Sequence, residues 1–181
     1  LGATEAGWSV SAMWALRHAL LLAFGLVVVA AISTKGIGAG IAALCGDAGK
    51  DVVVAVAALI GGAIAGAAAQ IVLPSARDQS FVLGVVVAVA VAHVFVERFA
   101  WFALQRGLGE RGTTNAVVVS VVLQVLAVFT FASVLKGGAL TWMGYAFLTV
   151  AMPTALLNRN HSIWPGIAWH LAFMLTTVFM A

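Results

Sequence analysis

His93 and Glu97 stand four residues apart inside a long apolar run. In a helix that spacing places both side chains on one face. A histidine and a glutamate so placed can hold a metal ion, or couple a base to an acid. They can equally form a hydrogen-bonded pair that joins helices, with the neighbouring Arg98 neutralising charge. His170 lies in a second apolar run near Trp164 and Trp169 and has the same two readings, ligand or interhelical hydrogen-bonder. Arg17, His18 and His161 fall near the ends of apolar runs, where long or amphipathic side chains snorkel outward, and are expected at the interface. Ser120, Gln124, Thr130 and Ser133 can bond across helices at about 1 kcal/mol each, and no acid or base beside them makes an activated nucleophile. Cys45 is the single cysteine, so no internal disulfide forms; it is a small buried hydrophobe or loop residue, or else a reactive thiol.

These groups gain significance from the medium that holds them. Of 181 residues, 64% are hydrophobic and 8% charged, and mean hydropathy is +1.13. Soluble domains are about a quarter charged, so a soluble fold is excluded. About 20 apolar residues cross the hydrocarbon of a bilayer, and six such runs nearly fill the chain: 12–32, 52–73, 80–106, 115–135, 139–157 and 162–181. The expected fold is therefore an all-α integral membrane protein of about six transmembrane helices, in one transmembrane domain over 1–181. Trp8 and Trp14 suit the headgroup level at the start of the first run. At membrane depth each ionisable side chain is costly and is by default a functional hypothesis that needs a partner.

The connections carry most of the remaining charge. The net charge of +3 comes from nine Lys/Arg against six Asp/Glu, and it forms no clustered basic face of the kind that binds nucleic acid. Segment 33–51 contains Gly36-Ile37-Gly38-Ala39-Gly40. No strand precedes it and no Walker lysine follows, so it reads as re-entrant or interfacial and not as a phosphate loop. In the second run, the stretch from Gly61 to Gly66 contains a small-xxx-small pattern that lets another helix approach closely. Lys35, Lys50, Arg106, Arg111 and Arg159 outnumber Arg17, Arg77 and Lys136 on the opposite side, with Arg98 assignable to either, a small bias that favours a cytoplasmic first group and an N-terminus outside. Residues 1–11 lack the basic start of a signal peptide.

The stretch Leu156-Leu157-Asn158-Arg159-Asn160-His161-Ser162-Ile163-Trp164-Pro165-Gly166-Ile167-Ala168-Trp169-His170 resembles the final motif of the CAAX prenyl protease and bacteriocin-processing family (CPBP, Abi-type intramembrane proteases). There a helix closes, a short turn leads to S-I-W-P, and a histidine follows in the next helix. Upstream, Leu104-Gln105-Arg106-Gly107-Leu108 is similar to the tail of that family's first motif, E-E-x-x-x-R-G. The resemblance covers residues 81–181. It implies a four-helix protease-like core over 80–181, preceded by two accessory helices and a connecting loop over 1–79.

The departures fall on the catalytic groups. With Arg106 in the place of the motif arginine, the paired glutamates fall on Trp101 and Phe102. Phe129 and Phe131 are present where the family has F-x-x-x-H, and no histidine occurs between Asn115 and Lys136. In the last motif, H-x-x-x-N, His170 remains and Met174 replaces the asparagine. In the family the glutamates prepare a water for attack on a peptide carbonyl, and histidine and asparagine position it or stabilise the oxyanion; Trp101, Phe102 and Met174 do neither. A shifted site is open to the chain, because Glu97 lies one turn before Trp101 with His93 a turn further back, so that His93, Glu97 and His170 could converge.

The expected function is a non-catalytic CPBP-like scaffold or accessory subunit of a larger membrane complex, in contact with the lipid bilayer and other membrane protein subunits. Its expected location is a bacterial inner (cytoplasmic) membrane, as a multi-pass protein. No cofactor is expected. The alternatives are an active intramembrane endopeptidase using the shifted Glu/His site, with or without zinc, and a subunit in which His93 or His170 ligates a haem or chlorophyll-type pigment.

Overall fold

The computed structural model describes residues 10–72, 83–109, 118–119, 121–122, 144 and 147–180. All of its elements are helical: α1 (Val10–Ile32), α2 (Ile37–Cys45), α3 (Ala48–Val72), α4 (Leu83–Gly109), a π turn (Phe147–Ala151), α5 (Met152–Asn160) and α6 (Trp164–Phe179). Among the described residues, three helices are long and apolar enough to cross a membrane, over Ala15–Ile32, Gly49–Ile71 and Val87–Leu108. The chain is thus a membrane protein with transmembrane helices. Val53, Val56, Ile60, Ile64 and Ile71 form an exposed stripe along α3, the lipid-facing side of a spanning helix. α4 is the central one, with 39% of its span buried against 17% for each of the other two.

The expected fourth run, 115–135, lies almost wholly outside the described residues, as does the early part of 139–157. Pro153 lies inside a continuous helical stretch, two residues after the π turn gives way to α5, and there it removes one N–H from the backbone ladder. In an i→i+5 pattern the carbonyl of Leu148 would look to the N–H of residue 153, which proline lacks. The indole Nε1 of Trp169 donates to that carbonyl instead, at 2.8 Å. α6 begins at Trp164, with Pro165 in its first turn, and has 16 residues. At 1.5 Å per residue it is about 24 Å long, shorter than the hydrocarbon core.

The elements pack in two close pairs, α1 against α4 and α3 against α6. The glycines of α3 make the second pair possible. A Cβ on Gly62 would run into the backbone carbonyl of Trp169, and one on Gly66 would stand 2.8 Å from the Phe173 oxygen. This is the small-xxx-small seam, and α6 is the helix that it admits. Gln70 Nε2 donates to the Thr177 carbonyl across the same interface, 2.5 Å away.

Segment 33–51 is a turn followed by the short α2, and its C-terminal end is fastened to the bundle. Gly36 takes a positive φ of 89° at the turn. Leu44 reaches the core formed with Val29, Val94, Phe102, Ala103, Ile163 and Ile167. Arg106 donates to the Ala43 carbonyl at 3.2 Å, and Ser162 Oγ to the Cys45 carbonyl at 3.3 Å. Asp47 caps α3 by accepting from the Gly49 N–H at 3.0 Å. The Lys50 ammonium and that N–H hold its carboxyl below the usual range, so the cap is present at neutral pH and is released as pH falls below ordinary carboxylate values.

Replacing Gly62 with leucine forces α3 and α6 apart, an overpacking cost of about 1–3 kcal/mol. Thermal unfolding in detergent reads it as a lowered midpoint, whereas Gly38→Ala, within α2 and with nothing within 4 Å, does not lower the midpoint.

Candidate functional site

At the centre of the bundle α1, α4 and α6 bring together six ionisable side chains. α4 supplies His93, Glu97 and Arg98, α6 supplies His170, and α1 supplies Arg17 and His18. Glu97 is 7% exposed, and a carboxylate so placed must be compensated. Arg17 donates to its Oε1. On the other oxygen, Oε2, His93 Nε2 stands at 3.5 Å and Arg98 at 3.8 Å.

His93 in turn shares a hydrogen bond of 2.8 Å between its Nδ1 and the Nε2 of His18. Its ring meets His170 edge to face, with centroids 6.0 Å apart. His170 is 1% exposed, and its Nδ1 has no hydrogen-bond partner among the described residues. Ligand atoms of His93, Glu97 and His170 all lie within 4.8 Å of one another. The i,i+4 pair on α4 and the histidine of α6 therefore meet.

Other candidate residues lie elsewhere. Trp101 and Phe102 line a small hollow with Arg98, Gln105, Pro153, Thr154, Ile163 and Gly166. Phe102 is buried in the core and Trp101 half-buried. Arg106 is exposed and spent on α2. Met174 packs against the apolar core one turn beyond His170. Ser120, Gln124, Phe129, Thr130, Phe131 and Ser133 lie outside the described residues.

Arg17 and His18 correct the sequence reading. Their place in the first turns of an apolar run pointed to the interface, yet His18 is 7% exposed and both face the cluster. The inward partner of Arg17 is Glu97, a buried carboxylate that must be compensated, and that of His18 is His93. The sequence signal was the adjacent Arg17-His18 pair itself, two cationic or titratable groups in an apolar run that contains no acid. His161, by contrast, is exposed at the turn after α5, with a positive φ of 55°.

No protein-family model, curated protein or solved structure matches the chain. The chemistry must be read from the cluster.

Arg17→Met leaves Glu97 without its bonded cation and is expected to destabilise the bundle by about 3–5 kcal/mol. The double variant Arg17→Met/Glu97→Gln recovers part of that loss in the same denaturant titration, because the Arg17–Glu97 pair is then gone while Arg98 stays charged beside the site.

Proposed function

We propose that the chain is a non-catalytic, CPBP-like membrane protein that serves as a scaffold or accessory subunit of a larger membrane complex. The observation that carries this reading is how Glu97 is spent. Its Oε1 is bonded by Arg17, and its Oε2 faces His93 and Arg98. A general base needs a lone pair directed at a water in reach of substrate. Here the carboxylate is directed at cations inside the bundle. Trp101, Phe102 and Met174, at the family's catalytic places, add apolar packing. The bundle's outer faces, rich in exposed Val, Leu and Ile, suit lipid and neighbouring helices.

A second reading, an intramembrane endopeptidase using His93, Glu97 and His170, is favoured by the approach of those three side chains to within 4.8 Å. A haem or chlorophyll-type pigment has less to recommend it at His93, because both ring nitrogens are already turned towards His18 and Glu97.

The test is purification in mild detergent followed by incubation with a panel of peptides. The scaffold reading expects a reproducible set of companion membrane proteins and no cleavage. Cleavage that Glu97→Gln abolishes overturns it in favour of the endopeptidase.

A further inference from the structure

We propose that His93, Glu97 and His170 bind one divalent transition-metal ion of the zinc class, which cross-links α4 to α6 at the centre of the bundle. The geometry of the three groups is the first support. Two ligands about 2.0–2.1 Å from a tetrahedral ion stand roughly 3.4 Å apart. His93 Nε2 and Glu97 Oε2 are separated by 3.5 Å. A charge-assisted hydrogen bond between the same atoms would close to about 2.7–2.9 Å. The pair is spread as an edge of a coordination tetrahedron is spread, and the third ligand atom lies within 4.8 Å of both.

The buried His170 supplies an independent observation. Its Nδ1 is without a partner among the described residues, although the side chain is almost fully enclosed and its ring abuts that of His93. Buried polar atoms are rarely left so. A cation beside Glu97 gives this imidazole a role.

His18 completes the arrangement. A ligating histidine holds its ring in place through its other nitrogen, bonded to an outer partner. When His93 donates from Nδ1 to His18 Nε2, across 2.8 Å, its Nε2 lone pair is the one directed at Glu97 and the ion. The carboxylate is likewise divided, with Oε1 on Arg17 and Oε2 on the side of His93. Two imidazoles and one carboxylate oxygen suit zinc and its neighbours, whereas calcium or magnesium would require a shell of oxygens. Arg98, 3.8 Å from Oε2, competes with the ion for that oxygen and limits affinity. With Glu97 engaged as a ligand the ion ties helices together, and the inference holds whether or not partner subunits exist.

The experiment uses the full chain in mild detergent, stripped with a chelator and titrated with zinc chloride alone, with cobalt(II) as a spectroscopic probe. The expected result is one ion per chain, the visible bands of a low-coordinate cobalt site, and a raised melting temperature. His93→Gln, His170→Gln and Glu97→Gln abolish the uptake. His18→Ala weakens it about 10–100-fold, the effect of losing an outer partner. Arg98→Gln tightens it, an effect that a purely structural role for the cluster does not produce. Cys45→Ser and His161→Ala leave it unchanged. Melting of each variant without metal reports its fold. Two results overturn the proposal: a folded, stripped wild-type chain that takes up no zinc at micromolar concentration, or uptake that persists undiminished in both folded histidine variants.

Discussion

A carboxylate inside an apolar bundle must be neutralised where it stands, and Glu97 imposes that demand on every helix around it. The demand is met by Arg17 of α1 and by Arg98 and His93 of its own helix α4, with the rings of His18 and His170 packed against His93 beyond them. Such an ionic cluster adds little net stability compared with a well-packed apolar core, but breaking it is severe, because an uncompensated charge remains. It therefore acts as a register. α1 can slide or rotate against α4 only by withdrawing Arg17 from Glu97 and His18 from His93, and few alternative packings satisfy both at once.

The apolar contacts obey a complementary rule. Lipid tails are as apolar as leucine, so helices in a bilayer associate by fitting closely rather than by escaping water. α3 and α6 do this through Gly62 and Gly66, where backbone meets backbone. Trp169 sits at the middle of that contact. Its backbone lies on Gly62 and its indole fills the hydrogen bond that Pro153 leaves open at Leu148. One residue thus ties the glycine seam to the irregular helix that precedes α6.

Much of this was legible in the sequence, and the boundary is physical. Apolar length announced the spanning helices, because bilayer thickness sets a nearly fixed requirement. The spacing of His93 and Glu97 announced one face of α4, and the glycines announced a close neighbour. The identity of that neighbour was hidden, since small residues say how near a helix comes and not which helix it is. Arg17 and His18 are ambiguous in the sequence for a related reason. A position near the end of an apolar run fits both a snorkelling side chain and an inward one, and only the long-range partner, 80 residues away in the case of Arg17, decides between them. The π turn was equally silent, because Pro153 signals a break without saying that Trp169 will mend it.

The glycine seam also orders events in time. Gly62 leaves the ribosome more than a hundred residues before Trp169, which must cover it. Until α6 is made, the glycine face of α3 lacks the neighbour that fits it this closely. The pairing of α1 with α4 can form earlier, since both partners precede residue 110. Contacts on the ionic side, between Arg17 and Glu97, can therefore precede closure of the glycine seam, and a chain interrupted before α6 would have the first available and the second open.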